Sequence, residues 1–352
     1  MVTWRNLIPK PTQCVGLQGL AHFEPPCVVG VDDLAYLIDI VPPEMRATFQ
    51  TPAALRRFAP GDLASEQAAV AAAQAAIIDA GIEADAIDHV IATSFVAHWQ
   101  QWFPAFGSFV HERLGLADHV PLTNIQSQCA SFTDGLVLAW QLVRSGAAKK
   151  ILVVAATQGL NEGDPSDPVA TWAGDGAAAA IVSDERLKAI FLGSDYFATG
   201  AIHRDYRMKL RGRAFPDAVP KDAVGDEFGF WAVRDLDALL KWMGADFAHL
   251  LQCGIARALA DSKLGPDEID MAFYHQMGPR EQVVLVRAGE QMGIKNEAFR
   301  DSFDMFGCAG NVDGPITMSL LKQNGEIGPG MVTMLHASGV GGANPAIMMR
   351  WV

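Results

Sequence analysis

Short apolar runs alternate with helical patterns along the whole chain. Residues 90–92 and 151–154 are apolar without a polar alternation, which is typical of strands that are covered on both faces. Residues 65–80 are rich in alanine, and residues 132–144 carry apolar side chains at helical spacing, so both segments are predicted helices. Strands and helices that alternate in this way predict a parallel α/β architecture.

The order of elements in the first half recurs in the second. A helix end, an acidic turn and a buried strand occur at residues 80–92 and again at residues 264–273. A second matching pair is formed by residues 144–156 and 323–336. An internal repeat of this length predicts two equivalent halves related by a pseudo-two-fold axis, with helices sandwiched between sheets.

We place the boundary of the two halves near residue 187, which gives an N-terminal half of residues 1–187 and a C-terminal half of residues 188–352. Residues 197–226 are rich in Arg, Gly, Pro and aromatic side chains and show neither the helical nor the strand spacing of apolar residues. Loops of that length are usually functional or mobile. Residues 228–259 are predicted to form one or two helices.

Length and composition favour a folded globule of enzyme size, and the lack of targeting signals leads us to expect a cytoplasmic protein. Half of the 352 residues are hydrophobic and 19% are charged, which argues against disorder. The formal net charge of -13 provides no general positive field for nucleic acid or anionic lipid. The first ten residues lack the apolar region of a signal peptide, and no apolar run approaches the roughly 20 residues that span a bilayer. We therefore expect neither a nucleic-acid partner nor a membrane.

The cysteines are predicted to be free thiols. There are five, an odd number, and they show neither CxxC nor Cys/His spacing, so the sequence favours no disulfide framework and no metal site. A free cysteine is usually a small buried hydrophobe. The five are Cys14, Cys27, Cys129, Cys253 and Cys308.

Cys129 is the cysteine whose surroundings suit chemistry. It lies where a strand-like segment gives way, through small residues, to the predicted helix 132–144. The free N–H groups and the dipole at a helix start favour the thiolate, which is the nucleophilic form of a cysteine. A backbone N–H of the same turn can also donate to an oxyanion. The sequence thus offers two interpretations of Cys129, a nucleophile or a buried hydrophobe.

A set of motifs in a fixed order resembles the β-ketoacyl-acyl-carrier-protein synthase III family. In chain order they are Cys129, Arg144-Ser145-Gly146, Gly174-Asp175-Gly176, Tyr274-His275-Gln276, Phe306-Gly307 with Gly310-Asn311, and Ser338-Gly339-Val340-Gly341-Gly342. The similarity covers nearly the whole chain. It implies an α/β thiolase fold with five layers, αβαβα, built from two pseudo-two-fold-related halves, and a dimer that is either homomeric or formed with a homologue.

The resemblance implies that Cys129 carries an acyl group and that His275 hydrogen-bonds the thioester oxygen or handles the proton, as an imidazole that is neutral near pH 7. The family's third catalytic group is an Asn directly after the aromatic-Gly pair. Here Cys308 holds that position and Asn311 follows three residues later. A thiol is a weak hydrogen-bond donor, so Cys308 cannot copy the amide, and Asn311 could substitute only in a rearranged loop. This departure places malonyl decarboxylation by the usual route in doubt.

Three further groups of residues are candidates for binding the substrate. The backbone N–H of Val340 is expected to join that of Cys129 in holding the thioester oxygen. Aromatic side chains that could line an acyl pocket, although such clusters are more often core, are Trp99, Trp102 and Phe103. Basic side chains that suit the phosphates of coenzyme A or phosphopantetheine, although most surface charges are merely solvated, are Arg57, Arg207 and Arg211.

The resemblance therefore implies an acyltransferase that loads an acyl group from acyl-CoA or an acyl carrier protein onto Cys129. The acceptor would be a carbon or a heteroatom nucleophile, in fatty-acid-related or secondary-metabolite biosynthesis. No permanently bound cofactor and no metal are implied. The alternative is a catalytically silent partner subunit of a heteromeric condensing enzyme. A degradative thiolase ranks lower, because the C-terminal glycine loop lacks a second cysteine.

Overall fold

The computed structural model describes twelve strands and seven helices in eight stretches of chain. Those stretches are residues 14–30, 54–58, 64–95, 106–158, 171–200, 247–276, 278–339 and 342–352, to which the separate residues 32, 33, 35 and 39 are added. The strands are β1 (Gly16–Phe23), β2 (Cys27–Gly30), β3 (Ala54–Arg57), β4 (His89–Ser94), β5 (Leu122–Ile125), β6 (Ile151–Gln158), β7 (Asp175–Ser183), β8 (Ala189–Ala198), β9 (Met271–Tyr274), β10 (Phe299–Arg300), β11 (Val332–His336) and β12 (Ala343–Trp351). The helices are α1 (Ala64–Ala80), α2 (Phe106–Arg113), α3 (Ser131–Arg144), α4 (Phe247–Ser262), α5 (Pro279–Met292), α6 (Phe303–Phe306) and α7 (Asp313–Gln323).

Each half contributes five strands in the same spatial order. The first half runs β1-β7-β6-β4-β5 and the second runs β8-β12-β11-β9-β10. One strand in each set is parallel to both of its neighbours: β4 to β5 and β6, and β9 to β10 and β11. The two sets join where the start of β1 runs antiparallel to β8. The internal repeat of the sequence thus corresponds to a repeat of strand order.

The helices occupy three layers around the two sets of strands. Helices α3 and α7 lie in the middle, where Leu136 and Ile316 share one apolar cluster with strands of both halves. Helices α1 and α2 cover the outer face of the first half, and α4 and α5 that of the second. The continuous apolar runs of the strands explain this layering, because strands between two helix layers must be apolar on both faces. The five-layered arrangement expected from the sequence is confirmed.

Local boundaries follow the sequence signals closely. The predicted helices at 65–80 and 132–144 are α1 and α3, and α1 is followed by Gly81 at φ 63°, a left-handed conformation that suits glycine after a helix end. Strand β8 continues to Ala198, so the irregular segment begins slightly later than predicted, and residues 201–246 lie outside the described ranges. Residue 187 lies between β7 and β8. Among the described helices, none has the length and apolar character needed to cross a membrane.

Asp79 ties three parts of the fold together. Its carboxylate accepts hydrogen bonds from Lys188 at 2.6 Å, from Lys322 of α7 at 2.5 Å and from the backbone N–H of Leu20 at 2.9 Å. Burial by itself raises the pKa of Asp79, but the bonds from the two lysines outweigh it and hold the pKa below its ordinary value. The carboxylate therefore links helix α1 to both halves of the molecule.

We expect Asp79→Ala to lower the free energy of unfolding by about 1–3 kcal/mol at neutral pH, because it leaves two partly buried ammonium groups without their acceptor. The loss should shrink as the pH falls through the lowered pKa, since protonation removes the same interaction in the wild type. Urea unfolding at neutral and acidic pH measures both effects. Asp85→Ala, which removes an exposed carboxylate nearby in the sequence, is the control. An equal loss of unfolding free energy in that variant would contradict the stabilising role of Asp79.

Candidate active site

The starts of the two central helices meet at a small pocket. Cys129 lies in the 3-10 turn Gln128–Ala130 that precedes α3, and Asn311 lies in the 3-10 turn Gly310–Val312 that precedes α7. His275 follows the last residue of β9. All three residues line the same pocket. The repeat of the fold thus brings a thiol, an amide and an imidazole together from segments far apart in sequence.

The turn that carries Cys129 has a constrained backbone. Gln128 has φ 49°, a left-handed conformation that is uncommon for a residue with a side chain and that often occurs at functional sites. The hydroxyl of Ser131 accepts the N–H of Ser127 at 2.7 Å and donates toward the carbonyl of Ser94, 2.8 Å away. Helix α3 begins at Ser131, so Cys129 lies just before a helix start, as the sequence indicates.

The hydrogen bonds of His275 fix the protonation of one ring nitrogen. Nδ1 lies 3.0 Å from the carbonyl oxygen of Gly310 and 2.8 Å from Oδ2 of Asp313. Both partners are acceptors, so Nδ1 must carry a proton. The Cys129 side chain lines the same pocket and interacts with the imidazole, and Nε2 is the nitrogen that remains for this contact. Cys129, His275 and Asp313 therefore form a connected series.

Asp313, the first residue of α7, was missed by the sequence analysis. Its Oδ2 accepts the N–H of Gln276 at 3.0 Å as well as the His275 proton, and its Oδ1 accepts the N–H of Ala309 at 2.5 Å. The residue is only 2% exposed. The available signal was an acidic residue at a predicted helix start, and such residues usually stabilise the helix alone. Only the packing of β9 against α7 shows its contact with the imidazole.

The charges around His275 favour the imidazolium. Burial lowers the pKa of His275, but its interactions with Cys129 and with Asp313 raise it to about 10. Burial raises the pKa of Asp313, and the N–H donors around it oppose that shift. Because each identified partner of the Asp313 oxygens is a donor, we assign the carboxylate form. This raised pKa contradicts the expectation of an imidazole that is neutral near pH 7, because Cys129 and the carboxylate of Asp313, which the sequence did not reveal, both favour the protonated ring.

The two candidates for the third catalytic position differ in their surroundings. Cys308 is buried and its backbone pairs with Trp172 and Gly174, at 2.7 and 2.6 Å. Burial, followed by the charges of Asp313 and Cys129, raises the pKa of the Cys308 thiol well above its ordinary value, so it stays neutral. It is not among the residues that line the pocket, whereas Asn311 is.

The amide of Asn311 is oriented by two threonines at strand ends. Its Oδ1 accepts the hydroxyl proton of Thr157 at 2.5 Å, and its Nδ2 lies 3.5 Å from the hydroxyl oxygen of Thr93. An amide carries two N–H groups, so one remains for the pocket. The structure thus places Asn311 in the lining of the pocket, and its role as the third catalytic group stays a prediction.

Most of the predicted substrate contacts fall on segments that are not described. They are Val340, Trp99, Trp102, Phe103, Arg207 and Arg211. Gly339, next to Val340, approaches the nucleophile turn so closely that an added Cβ would lie 2.5 Å from the carbonyl oxygen of Ser127. Arg57 is 6% exposed and lies near Asp175. Its contact with a phosphate stays a prediction, and its burial limits access to it.

His336, the last residue of β11, also lines the pocket and was not singled out from the sequence. It is 1% exposed, and neither ring nitrogen has a hydrogen-bond partner among the residues that the structure describes. Burial, aided by the charge of His275, lowers the pKa of His336 to about 3, so the ring is neutral. We have no physical account of this buried imidazole from the contacts that are described.

A metal centre is a poor interpretation of the buried cluster. Within the described ranges, donor atoms of His275, Cys308 and Asp313 all lie within 4.8 Å of one another. However, His275 and Asp313 already share a proton in a 2.8 Å hydrogen bond. A metal ion would have to displace that proton and the bond from Nδ1 to Gly310. We interpret the cluster as a hydrogen-bonded catalytic group.

Three family profiles match the chain. The profile of 3-oxoacyl-[acyl-carrier-protein] synthase III matches residues 123–200, and the profile of its C-terminal domain matches residues 259–351. The thiolase N-terminal domain matches residues 45–157. The first of these ranges contains Cys129, and the second contains His275 and Asp313. The matches therefore cover both sides of the pocket.

Similar proteins cover almost the whole chain. A β-ketoacyl-[acyl-carrier-protein] synthase III of Bacillus anthracis is 27% identical over 96% of this chain and 99% of its own length. A synthase III of Staphylococcus saprophyticus is 29% identical over 84% of this chain and 86% of its own length. Among solved structures, the 3-oxoacyl-[acyl-carrier-protein] synthase III of Aquifex aeolicus has a TM-score of 0.78 at 20% identity, covering 96% of this chain and 100% of its own. The structure of Xanthomonas campestris OleA with bound lauric acid and lauroyl-CoA also has a TM-score of 0.78 at 20% identity. The match covers 96% of this chain and 99% of the OleA chain. These structures confirm the thiolase fold.

Asp313→Asn should lower the pKa of His275 from about 10, because it removes a negative charge that favours the imidazolium. NMR of histidine labelled in the ring, recorded from acidic to alkaline pH, measures this, with the signal assigned by its loss in His275→Gln. Asp304→Asn, a change at an exposed carboxylate on α6, should leave the titration of His275 unchanged. An unshifted pKa in Asp313→Asn would contradict the proposed charge pairing.

Proposed function

We infer the reaction from family and site together: this chain is a 3-oxoacyl-[acyl-carrier-protein] synthase III-like condensing enzyme of the thiolase superfamily, and it is an acyltransferase. Its substrate is an acyl thioester of coenzyme A or of an acyl carrier protein, and the chemistry needs no resident cofactor. The observation that carries the assignment of roles is the contact of Cys129 with His275 in one pocket. We propose Cys129 as the nucleophile and His275 as its proton partner.

In the first half-reaction the Cys129 thiolate attacks the carbonyl carbon of the acyl thioester. A bond forms between Sγ and that carbon, and the bond to the leaving sulfur breaks as the tetrahedral intermediate collapses. The imidazolium of His275 supplies a proton to the leaving thiolate. The products are acyl-Cys129, a free thiol and a neutral His275.

In the second half-reaction an acceptor takes the acyl group from Cys129. The acceptor attacks the carbonyl carbon, the bond to Sγ breaks, and Cys129 returns to the thiolate form. We propose that the backbone N–H groups of Cys129 and Val340 hold the oxyanion in both half-reactions, with the amide of Asn311 as a further donor. The free N–H of Asn311 and the closeness of Gly339 to Ser127 support this arrangement.

The remaining substrate contacts are proposals from the family resemblance. Trp99, Trp102 and Phe103 would line the acyl pocket, and Arg57, Arg207 and Arg211 would bind the phosphates of the donor. An acyl carrier protein is a suitable partner, because such a donor presents the acyl group on phosphopantetheine. The division into halves at residue 187 is supported by its position between β7 and β8.

We also propose a dimer in the cytoplasm that serves fatty-acid-related or secondary-metabolite biosynthesis. The net charge of -13 supports the absence of nucleic-acid and anionic-membrane partners. The alternative of a silent partner subunit is not favoured, because the relatives are synthases and this chain retains a cysteine and a histidine in contact.

Incubation with a panel of acetyl-, octanoyl- and lauroyl-CoA should add the mass of one acyl group to the wild type, since a thioester on Cys129 is a covalent intermediate. Intact-protein and peptide mass spectrometry measure the adduct and locate it. Cys129→Ala should lose the adduct, and His275→Ala should form it more slowly, by a factor of about 10² or more.

Cys253→Ala is the matched control, because Cys253 is a partly exposed thiol on α4 outside the pocket, and it should load like the wild type. An adduct of equal yield on Cys129→Ala would refute the role of Cys129. Absence of any adduct on the wild type across acyl-CoA and acyl-carrier thioesters would refute the loading step.

A further inference from the structure

The contact between Asp313 and His275 determines what the imidazole can do in the second half-reaction. Asp313 Oδ2 holds the proton on Nδ1 at 2.8 Å, which leaves Nε2 as the nitrogen that gains or loses a proton. The carboxylate is itself held by the N–H groups of Gln276 and Ala309, so its position is fixed. A carboxylate that orients an imidazole and stabilises its protonated form is the arrangement of a general base.

Acylation changes the charge balance around His275. The Cys129 thiolate is one of the groups that raise the pKa of His275, and a thioester carries no charge. Once Cys129 is acylated and the leaving thiol has taken the proton, the imidazole is neutral, with Nδ1 still bonded to Asp313. It can then accept a proton from a second substrate. The same residue thus acts first as an acid and next as a base.

The two kinds of acceptor differ in their need for such a base. A malonyl thioester becomes a carbon nucleophile by losing carbon dioxide, so no proton has to be removed, and its enolate oxygen needs hydrogen-bond donors instead. An alcohol or an amine must lose a proton as it attacks. Asn311 can hold an oxyanion in either route and does not discriminate between them, whereas Cys308 remains a neutral thiol and a weak donor.

We propose that the acceptor of this enzyme is an alcohol or an amine, that His275 is its general base, and that Asp313 is the residue that positions this base. The proposal rests on the acyl-Cys129 intermediate of the proposed function. The oxygen or nitrogen of the acceptor forms a bond to the acyl carbon while Nε2 takes its proton. The bond from that carbon to Sγ then breaks, which gives an ester or amide, the Cys129 thiolate and the His275 imidazolium.

Wild-type enzyme allows a direct comparison of acceptors. Acyl-Cys129 is prepared with octanoyl-CoA, or with whichever CoA thioester of the panel loads, and is desalted rapidly. Ethanolamine, glycerol or radiolabelled malonyl-CoA is then added, and the adduct, the product and released carbon dioxide are followed with time. We expect the amine or the alcohol to discharge the adduct faster than buffer alone, and malonyl-CoA to release no carbon dioxide above background.

Asp313→Asn tests the positioning residue. Discharge to the amine or alcohol should slow by about 10²–10⁴-fold, the range of general acid–base catalysis. Loading should slow much less, because His275 is still present in this variant to protonate the leaving thiolate. The pH at which discharge reaches half its maximum should also move to a lower value, since removing the carboxylate lowers the pKa of His275. A purely structural defect would slow both steps without moving this pH. Asp304→Asn is the control.

Each outcome decides between the alternatives. Discharge by malonyl-CoA with release of carbon dioxide, at a rate above those of ethanolamine and glycerol, would overturn the proposal and leave the acyl-enzyme intact. If none of the probes discharges the adduct faster than buffer alone, the rate of hydrolysis tests the proposal, because water also loses a proton as it attacks. An equal rate of hydrolysis in the wild type and in Asp313→Asn would then reject His275 as a general base positioned by Asp313. Failure to form any adduct would refute the proposed function instead. If Asp313→Asn does not fold, the wild-type comparison alone gives the answer.

Discussion

Helices α3 and α7 begin against each other between the two sets of strands, and this constraint creates the site. The first carries Cys129 just before its start, and the second begins with Asp313. Strand β9 delivers His275 between them, within hydrogen-bonding contact of both. Three groups that interact by charge are therefore placed at or next to the ends of regular elements, which sets their relative positions.

The repeat explains how one architecture supplies different groups. A strand leads through a 3-10 turn into a central helix in both halves, and the equivalent turns carry Cys129 in one half and Asn311 in the other. Strand ends of the first half, at Thr93 and Thr157, orient the amide that the second half provides. The first half thus orients a side chain that the second half supplies, and residues of both halves line the pocket.

How far the sequence predicts this molecule depends on the range of the interactions involved. Cys129 has a local signal, a helix start, and His275 follows an apolar strand, so both could be found in advance. The bond from His275 to Asp313 spans 38 residues and that from Thr157 to Asn311 spans 154. The spacing of apolar residues along the sequence does not predict contacts between side chains so far apart. The predicted protonation state of His275 was wrong for the same reason. The pKa of this side chain depends in part on the carboxylate of Asp313, which only the packing brings near.

Charge coupling in the buried group has a direction that suits group transfer. In the free enzyme Cys129 and Asp313 together hold a proton on His275 against the cost of burial. In the reaction proposed above, acylation removes the interaction with Cys129 and the proton passes to the leaving thiol, while Asp313 keeps the ring in place. A thiolate that formed again without a proton on His275 would be an unpaired buried charge, so under this proposal its departure from the acyl group favours a proton taken from the acceptor. The proposed reaction therefore links return of the nucleophile to deprotonation of the second substrate.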